Sequence, residues 1–283
     1  MRVHLILVVL LSGLVGGCAN VAMLNASNSI DGKADQKAGQ AADNVDKPDT
    51  DKSTGLVRLA KDIEAHGESD TAIKLYQQTV ALSGNAPDAN VRLGEAYMRA
   101  NRIKPAMDAY RAALVKDPDD NDALLGLGAA LVQSGSVDEG LADLAKAAPN
   151  VGTAAAYNRL GVAQMMVGQF ANAQASFEKG RALSPDDLDI ATNLALAAAL
   201  GGEAEKAAAL AREIAQSPAA QDRHRRNLII ALGIIGRSRD EARTVAPPGL
   251  SQHELAALLK HAETIRDASD PKVRAKALGM MRG

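Results

Sequence analysis

LGEAYMRANRIKPAMDAYRAALVKDP, residues 93–118, holds two apolar runs at helical spacing, with Asn101 between them and Pro118 at the end. Asparagine and glycine enter the left-handed conformation at least cost, so Asn101 marks a tight turn. Proline cannot supply the amide a helix needs and marks a stop. The stretch reads as a helical hairpin, and it recurs. Leu59, Leu93, Leu127, Leu160, Leu194 and Leu228 are spaced by 34, 34, 33, 34 and 34 residues, and eight residues beyond each stand Gly67, Asn101, Gly135, Gly168, Gly202 and Gly236. Such a period marks stacked units, each of which buries its apolar face only against its neighbours.

The units run 53–86, 87–120, 121–153, 154–187, 188–221 and, in part, 222–245. Their eighth positions read Ala60, Gly94, Gly128, Gly161, Ala195 and Ile229; their twentieth read Ala72, Ala106, Gly140, Ala173, Ala207 and Glu241. Small residues there let the two helices of a hairpin approach closely. Larger residues fill the remaining space at position 24, with Tyr76, Tyr110, Leu144 and Phe177. Pro118 and Pro185, with Pro149 and Pro218 near the same place, are expected to end the second helices. In the sixth unit Ile229 and Glu241 replace small residues, and Ala242 suggests a one-residue slip.

In this register the stretch at 93–118, with YNRLGVAQMMVGQFANAQASFEKGRALSP at 157–185, resembles the tetratricopeptide repeat (TPR). The resemblance implies an all-α, right-handed superhelical solenoid of about five to six TPR helix hairpins. Residues 246–283 are expected to supply a C-terminal capping helix and tail. Ser251 and Glu254 form a plausible capping box, and Leu255, Leu258, Leu259, Ala262 and Ile265 make one apolar stripe that could cover the last hairpin.

Composition agrees with packed helices: 47% of residues are hydrophobic but only 2% aromatic, so the core is built from closely spaced aliphatic side chains. A net charge of -2 gives no electrostatic reason for nucleic acid as a partner. The N-terminus points outward from the cell. Arg2 precedes an apolar run from Val3 to Val15, then Gly16, Gly17 and Cys18, the one cysteine in the sequence. That run would rise only about 20 Å as a helix, against roughly 30 Å of hydrocarbon, so it reads as a signal peptide over 1–17. LVGGC at 14–18 resembles the bacterial lipobox, which implies cleavage before Cys18 and lipidation of its thiol. The alternative is an ordinary cleaved signal with an accidental cysteine. Ala19 in place of Asp suggests outer-membrane sorting, with inner-membrane retention or secretion as alternatives. Residues 18–52, small, polar and charged, read as the lipidated cysteine and a disordered tether of about 30 to 35 Å.

Motifs for chemistry are missing. HEL at 253–255 lacks the second histidine of a zinc helix, because position 257 is Ala and the next histidine is His261. No GxSxG, P-loop or dinucleotide fingerprint occurs. No catalytic residue, metal or cofactor is expected, and the chain reads as not an enzyme. RHRR at 223–226 reads either as a solvated helix start or as a basic patch for anionic lipid or an acidic partner.

The resemblance places a binding groove on the first helices of the units. The lining expected here is Val91, Glu95, Met98, Arg99, Leu125, Ala129, Val132, Asn158, Val162, Met165, Met166 and Leu196. It is mixed at its start and apolar from the third unit on, which suits an amphipathic helix or hydrophobic peptide. The competing reading is that Met165, Met166 and Leu196 pack against neighbouring repeats. Lipobox, tether and repeats together look like the TadD-type lipoproteins of tight-adherence (Flp) pilus systems. That likeness implies a protein partner, a secretin or pilus-assembly subunit, and a role in placing or assembling it. The alternatives are a general envelope-assembly or chaperone-like lipoprotein, or a recruiting factor for an envelope enzyme.

Overall fold

The structure, a computed structural model, describes residues 50–278; the expected signal peptide, Cys18 and the tether up to residue 49 lie outside the described residues. The described residues form fourteen α-helices and no strand. Hairpins pair α1 (Thr50–Ala65) with α2 (Ser69–Leu82), α3 (Pro87–Arg99) with α4 (Ile103–Lys116), and α5 (Asn121–Ser134) with α6 (Val137–Val151). They continue with α7 (Ala154–Met166) and α8 (Phe170–Leu183), α9 (Leu188–Leu200) and α10 (Ala204–Gln216), and α11 (Asp222–Ile234) with the short α12 (Arg239–Thr244). The chain closes with α13 (Gln252–Asp267) and α14 (Pro271–Ala277). Each hairpin packs on the next, which is the solenoid the repeats predict. The first helix begins at Thr50, ahead of the expected residue 53.

The turns follow from the sequence. All six expected turn residues are left-handed, from φ +56° at Asn101 to +98° at Gly135. After each, the next amide donates to a carbonyl five residues back, as in Arg102 to Tyr97 and Gln169 to Gln164, both at 2.8 Å, which closes the first helix. Within hairpins, the small eighth position makes room for the large residue at position 24. A Cβ on Gly94 would come 2.7 Å from the Tyr110 ring, and one on Gly161 would come 2.6 Å from the Phe177 ring. Where both crossing positions are glycine the backbones meet: a Cβ on Gly140 would lie 2.5 Å from the Gly128 carbonyl oxygen.

One expected boundary is corrected. Pro149 does not end its helix, because α6 runs on to Val151 and closes at Gly152, which is left-handed at φ +65°. A proline in the last turn removes a single amide bond, and the helix stops where glycine can cap it. In the sixth unit Ala242 is buried where the register pointed to Glu241, and α12 is only one and a half turns or so long.

At the C-terminal end, the Glu254 amide donates to Ser251 Oγ (3.2 Å) and the Ser251 amide to Glu254 Oε2 (3.0 Å), completing the capping box. Leu255, Leu258, Ala262 and Ile265 are buried against α11, and Leu259 is half-buried. The fit is close: a Cβ on Gly233 would meet Ala262 Cβ at 2.5 Å. RHRR is largely structural. Arg223 donates to both carboxylate oxygens of Asp189 on α9 (3.0 Å each), the His224 ring lies 2.8 Å from Asp189 Oδ1, and Arg226 reaches Glu254 on α13 (3.5 Å). The buried residues fall into three clusters, two small ones within the first three units and one continuous core from Leu124 to Leu278.

Candidate polypeptide-binding surface

The first helices of successive units stand side by side and form one face of the array. On it, α3, α5 and α7 enclose a hollow of about 220 Å³. Glu95, Met98 and Arg99 come from α3, Asp122, Leu125, Gly126 and Ala129 from α5, Arg159 from α7, and the Tyr110 ring enters from α4. Five residues of the expected groove therefore meet here: Glu95, Met98, Arg99, Leu125 and Ala129. Val91 is buried beside them, in the same small cluster as Met98 and Tyr110.

The two arginines differ in their surroundings. Arg99 Nε donates to Glu64 Oε1 at 2.6 Å, and its Nη1 stands 3.8 Å from Glu95. Burial opposes the Arg99 charge, but Glu64 and Glu95 outweigh it and its pKa is raised. Arg159 is only partly exposed, and among the described residues none accepts a hydrogen bond from it. Burial lowers its pKa, with Tyr110, Glu95 and Asp122 acting against that fall. A guanidinium with five donors and no acceptor is suited to a carbonyl or carboxylate brought from outside. Burial also pushes the Tyr110 hydroxyl well above its ordinary value, with Glu95 adding to the rise, so this ring is a neutral wall.

The apolar end of the expected groove looks different. Val132, Val162, Met165, Met166 and Leu196 are all buried in the main core, and Met165 is 0% exposed. Asn158 accepts a hydrogen bond from Asn193 Nδ2 (3.0 Å), tying α7 to α9. These side chains join repeats together in the structure, and α14 lies against α7. Sequence reasoning missed Tyr110, Asp122, Gly126 and Arg159. The usable signal was Gly126, a glycine at neither a packing nor a turn position of its unit.

Among the described residues no group of three His, Cys, Asp or Glu side chains could hold a metal, and no helix is long and apolar enough to cross a membrane. The nearest approach to an acid–base pair, His224 with Asp189, is shared with Arg223 and clasps two repeats.

Comparison with known proteins gives the same repeats. Residues 56–159 match the family model of the Cilia and flagella-associated protein 70 middle TPR-like domain, and residues 158–222 match the tetratricopeptide repeat. Cellulose synthase operon protein C of Pseudomonas fluorescens (strain SBW25) is 35% identical over 104 residues, which are 34% of this chain and 8% of that protein. This chain thus spans less than a tenth of its relative's length. Pseudomonas aeruginosa pilF shares the fold at TM-score 0.58 and 19% identity, over 69% of this chain and 89% of that one. TTC0263, a thermophilic TPR protein in Thermus thermophilus, does so at TM-score 0.51 and 22% identity, over 64% and 98%. MamA 41-end from Desulfovibrio magneticus RS-1 does so at TM-score 0.51 and 19% identity, over 58% and 93%.

Proposed function

We propose that this tetratricopeptide-repeat chain, a scaffold suited to protein–protein interaction, works without catalysis at the periplasmic face of the outer membrane, held there by lipid on Cys18. Its partner is a secretin or assembly subunit of a tight-adherence pilus, which it helps to assemble or to localise. The observation that carries the binding role is the hollow at α3, α5 and α7, where Arg159 offers donors that no described residue takes up. An extended polypeptide segment would set a carbonyl or carboxylate on Arg159 and apolar side chains against Met98 and Leu125. The lipobox-like LVGGC and the polar stretch after it support the anchored setting, and the tether would raise the local concentration of the site at the membrane.

A second reading is a general envelope-assembly or chaperone-like lipoprotein, or a recruiting factor for an envelope enzyme. It is favoured by the related segment in a protein named for a cellulose synthase operon.

The test is mild crosslinking in cells followed by affinity recovery, comparing wild type with a Glu95→Lys/Ala129→Lys double variant. Loss of the pilus secretin from the variant alone supports the reading. Unchanged recovery of it excludes the hollow, and recovery of a different envelope subunit in its place favours the second reading.

A further inference from the structure

After α13 the chain stops stacking and turns back. Helix α14 rests against α7, which belongs to the fourth unit. Pro271 packs on the turn that ends α7, so closely that a Cβ on Gly168 would lie 2.6 Å from Pro271 Cβ. Arg274 reaches the Leu200 carbonyl at the end of α9 (3.5 Å) while its Nε holds the Ala268 carbonyl (2.7 Å). Ala275 and Leu278 are buried in the same continuous core as Met165, Met166 and Leu196. The chain's own C-terminal helix therefore sits at the apolar end of the first-helix face.

Its hold is thin. Only Ala275 and Leu278 are buried, Lys272 and Lys276 are exposed, and Val273 is 51% exposed. The seat also extends beyond its occupant: beside α14 a half-open hollow of about 220 Å³ remains, lined by Ala199, Gly202, Ile234, Ile235, Arg266 and Arg274.

We infer that the ends of α7, α9 and α11 form a second polypeptide site, specific for a short helix, which α14 occupies as a displaceable resident. The resident defines the ligand chemistry. A partner helix opens with a proline or similar first-turn residue, presents a small residue and then a large aliphatic one three positions on, and carries a basic side chain for the Leu200 carbonyl at the end of α9. This site extends the reading of the array as a polypeptide-binding scaffold, but it does not involve the Arg159 hollow. Failure at either place leaves the other standing.

The probe is a fluorescein-labelled peptide of residues 268–283, added to the full chain. An Ala275→Glu substitution in the protein unseats α14 and leaves the seat unchanged; Leu278→Asp is the second such variant. A resident that fills the seat nine-tenths of the time weakens apparent affinity about tenfold, so each variant binds the peptide about tenfold more tightly than wild type. A peptide carrying the same Ala275→Glu change does not bind. Equal affinity for wild type and both variants, with far-UV spectra unchanged, overturns the inference. Hydrogen exchange of the wild-type chain decides independently of the variants: amides 274–278 exchange faster than those of 258–265, and protection equal to that of α13 overturns the displaceable resident.

Discussion

The ring of Tyr110 occupies the space where a side chain on Gly126 would stand; a Cβ built there would lie 2.3 Å from Tyr110 Cε1. The same ring leans on Gly94 in its own hairpin, so one aromatic side chain locks the second unit to the third and forms a wall of the hollow. Gly126→Ala forces the ring to move in a packed environment and costs about 1–3 kcal/mol of stability. Gly55, also in a helix, has nothing within 4 Å of its would-be Cβ. Gly55→Ala therefore stabilises by about 0.5–1 kcal/mol. Urea denaturation of the two variants checks the contrast in sign.

Arg159→Met keeps most of the side-chain bulk and removes a guanidinium that bonds to no described residue. Stability changes by no more than about 0.5 kcal/mol, as at a site away from structural bonds. Partner affinity falls about tenfold or more, the size of a lost hydrogen bond to a charged group. Denaturation and a binding titration on the same protein separate the two effects.

Asp189→Asn tests the clasp between the fifth and sixth units. Burial would raise the Asp189 pKa, but hydrogen bonds from His224 and Arg223 outweigh it, and the folded value is lowered. The unfolded chain therefore takes up the proton first. The stabilisation is complete above the unfolded carboxylate value of about 3.9 and is lost as pH falls through the lower folded value. At neutral pH the asparagine variant loses about 2 kcal/mol, because buried donors lose their charged acceptor. Its stability also shows a shallower fall between about pH 4 and pH 2 than that of wild type. Equilibrium unfolding across this range measures both.

Cys18→Ser removes the proposed lipid attachment point. The protein moves from the membrane fraction to the soluble periplasmic fraction, since two or more acyl chains are what make anchoring stable. Intact-mass measurement of wild type reports the acyl chains directly, and an unmodified thiol excludes the anchor.

Much of the fold was legible because it is local. Asn101 and the five turn glycines had to be left-handed, and each is; Gly94 and Gly161 had to face bulk from the second helix, and each meets an aromatic ring. Ser251 and Glu254 lie three residues apart and cap α13 as their spacing suggested. The site was legible only in part. Position within a unit tells which side chains point toward the first-helix face, and it gathered Glu95, Met98, Arg99, Leu125 and Ala129. It cannot tell which of those are covered. Met165 and Leu196 are hidden in the core that joins the units, and the C-terminal helix returns to α7, which no period in the sequence encodes. Likewise, RHRR shows its basic character in the sequence but not its acidic partners, Asp189 and Glu254, which lie 28 residues or more away.

The division of the core into two small clusters between Ala60 and Leu131 and one large cluster from Leu124 onward has a mechanical consequence. A pull arriving from the N-terminal side would peel α1 and α2 away before it disturbed anything past α5, because nearest-neighbour stacking lets units detach one at a time. The far end, where one continuous core joins the units from Leu124 onward, would give way last and as a block.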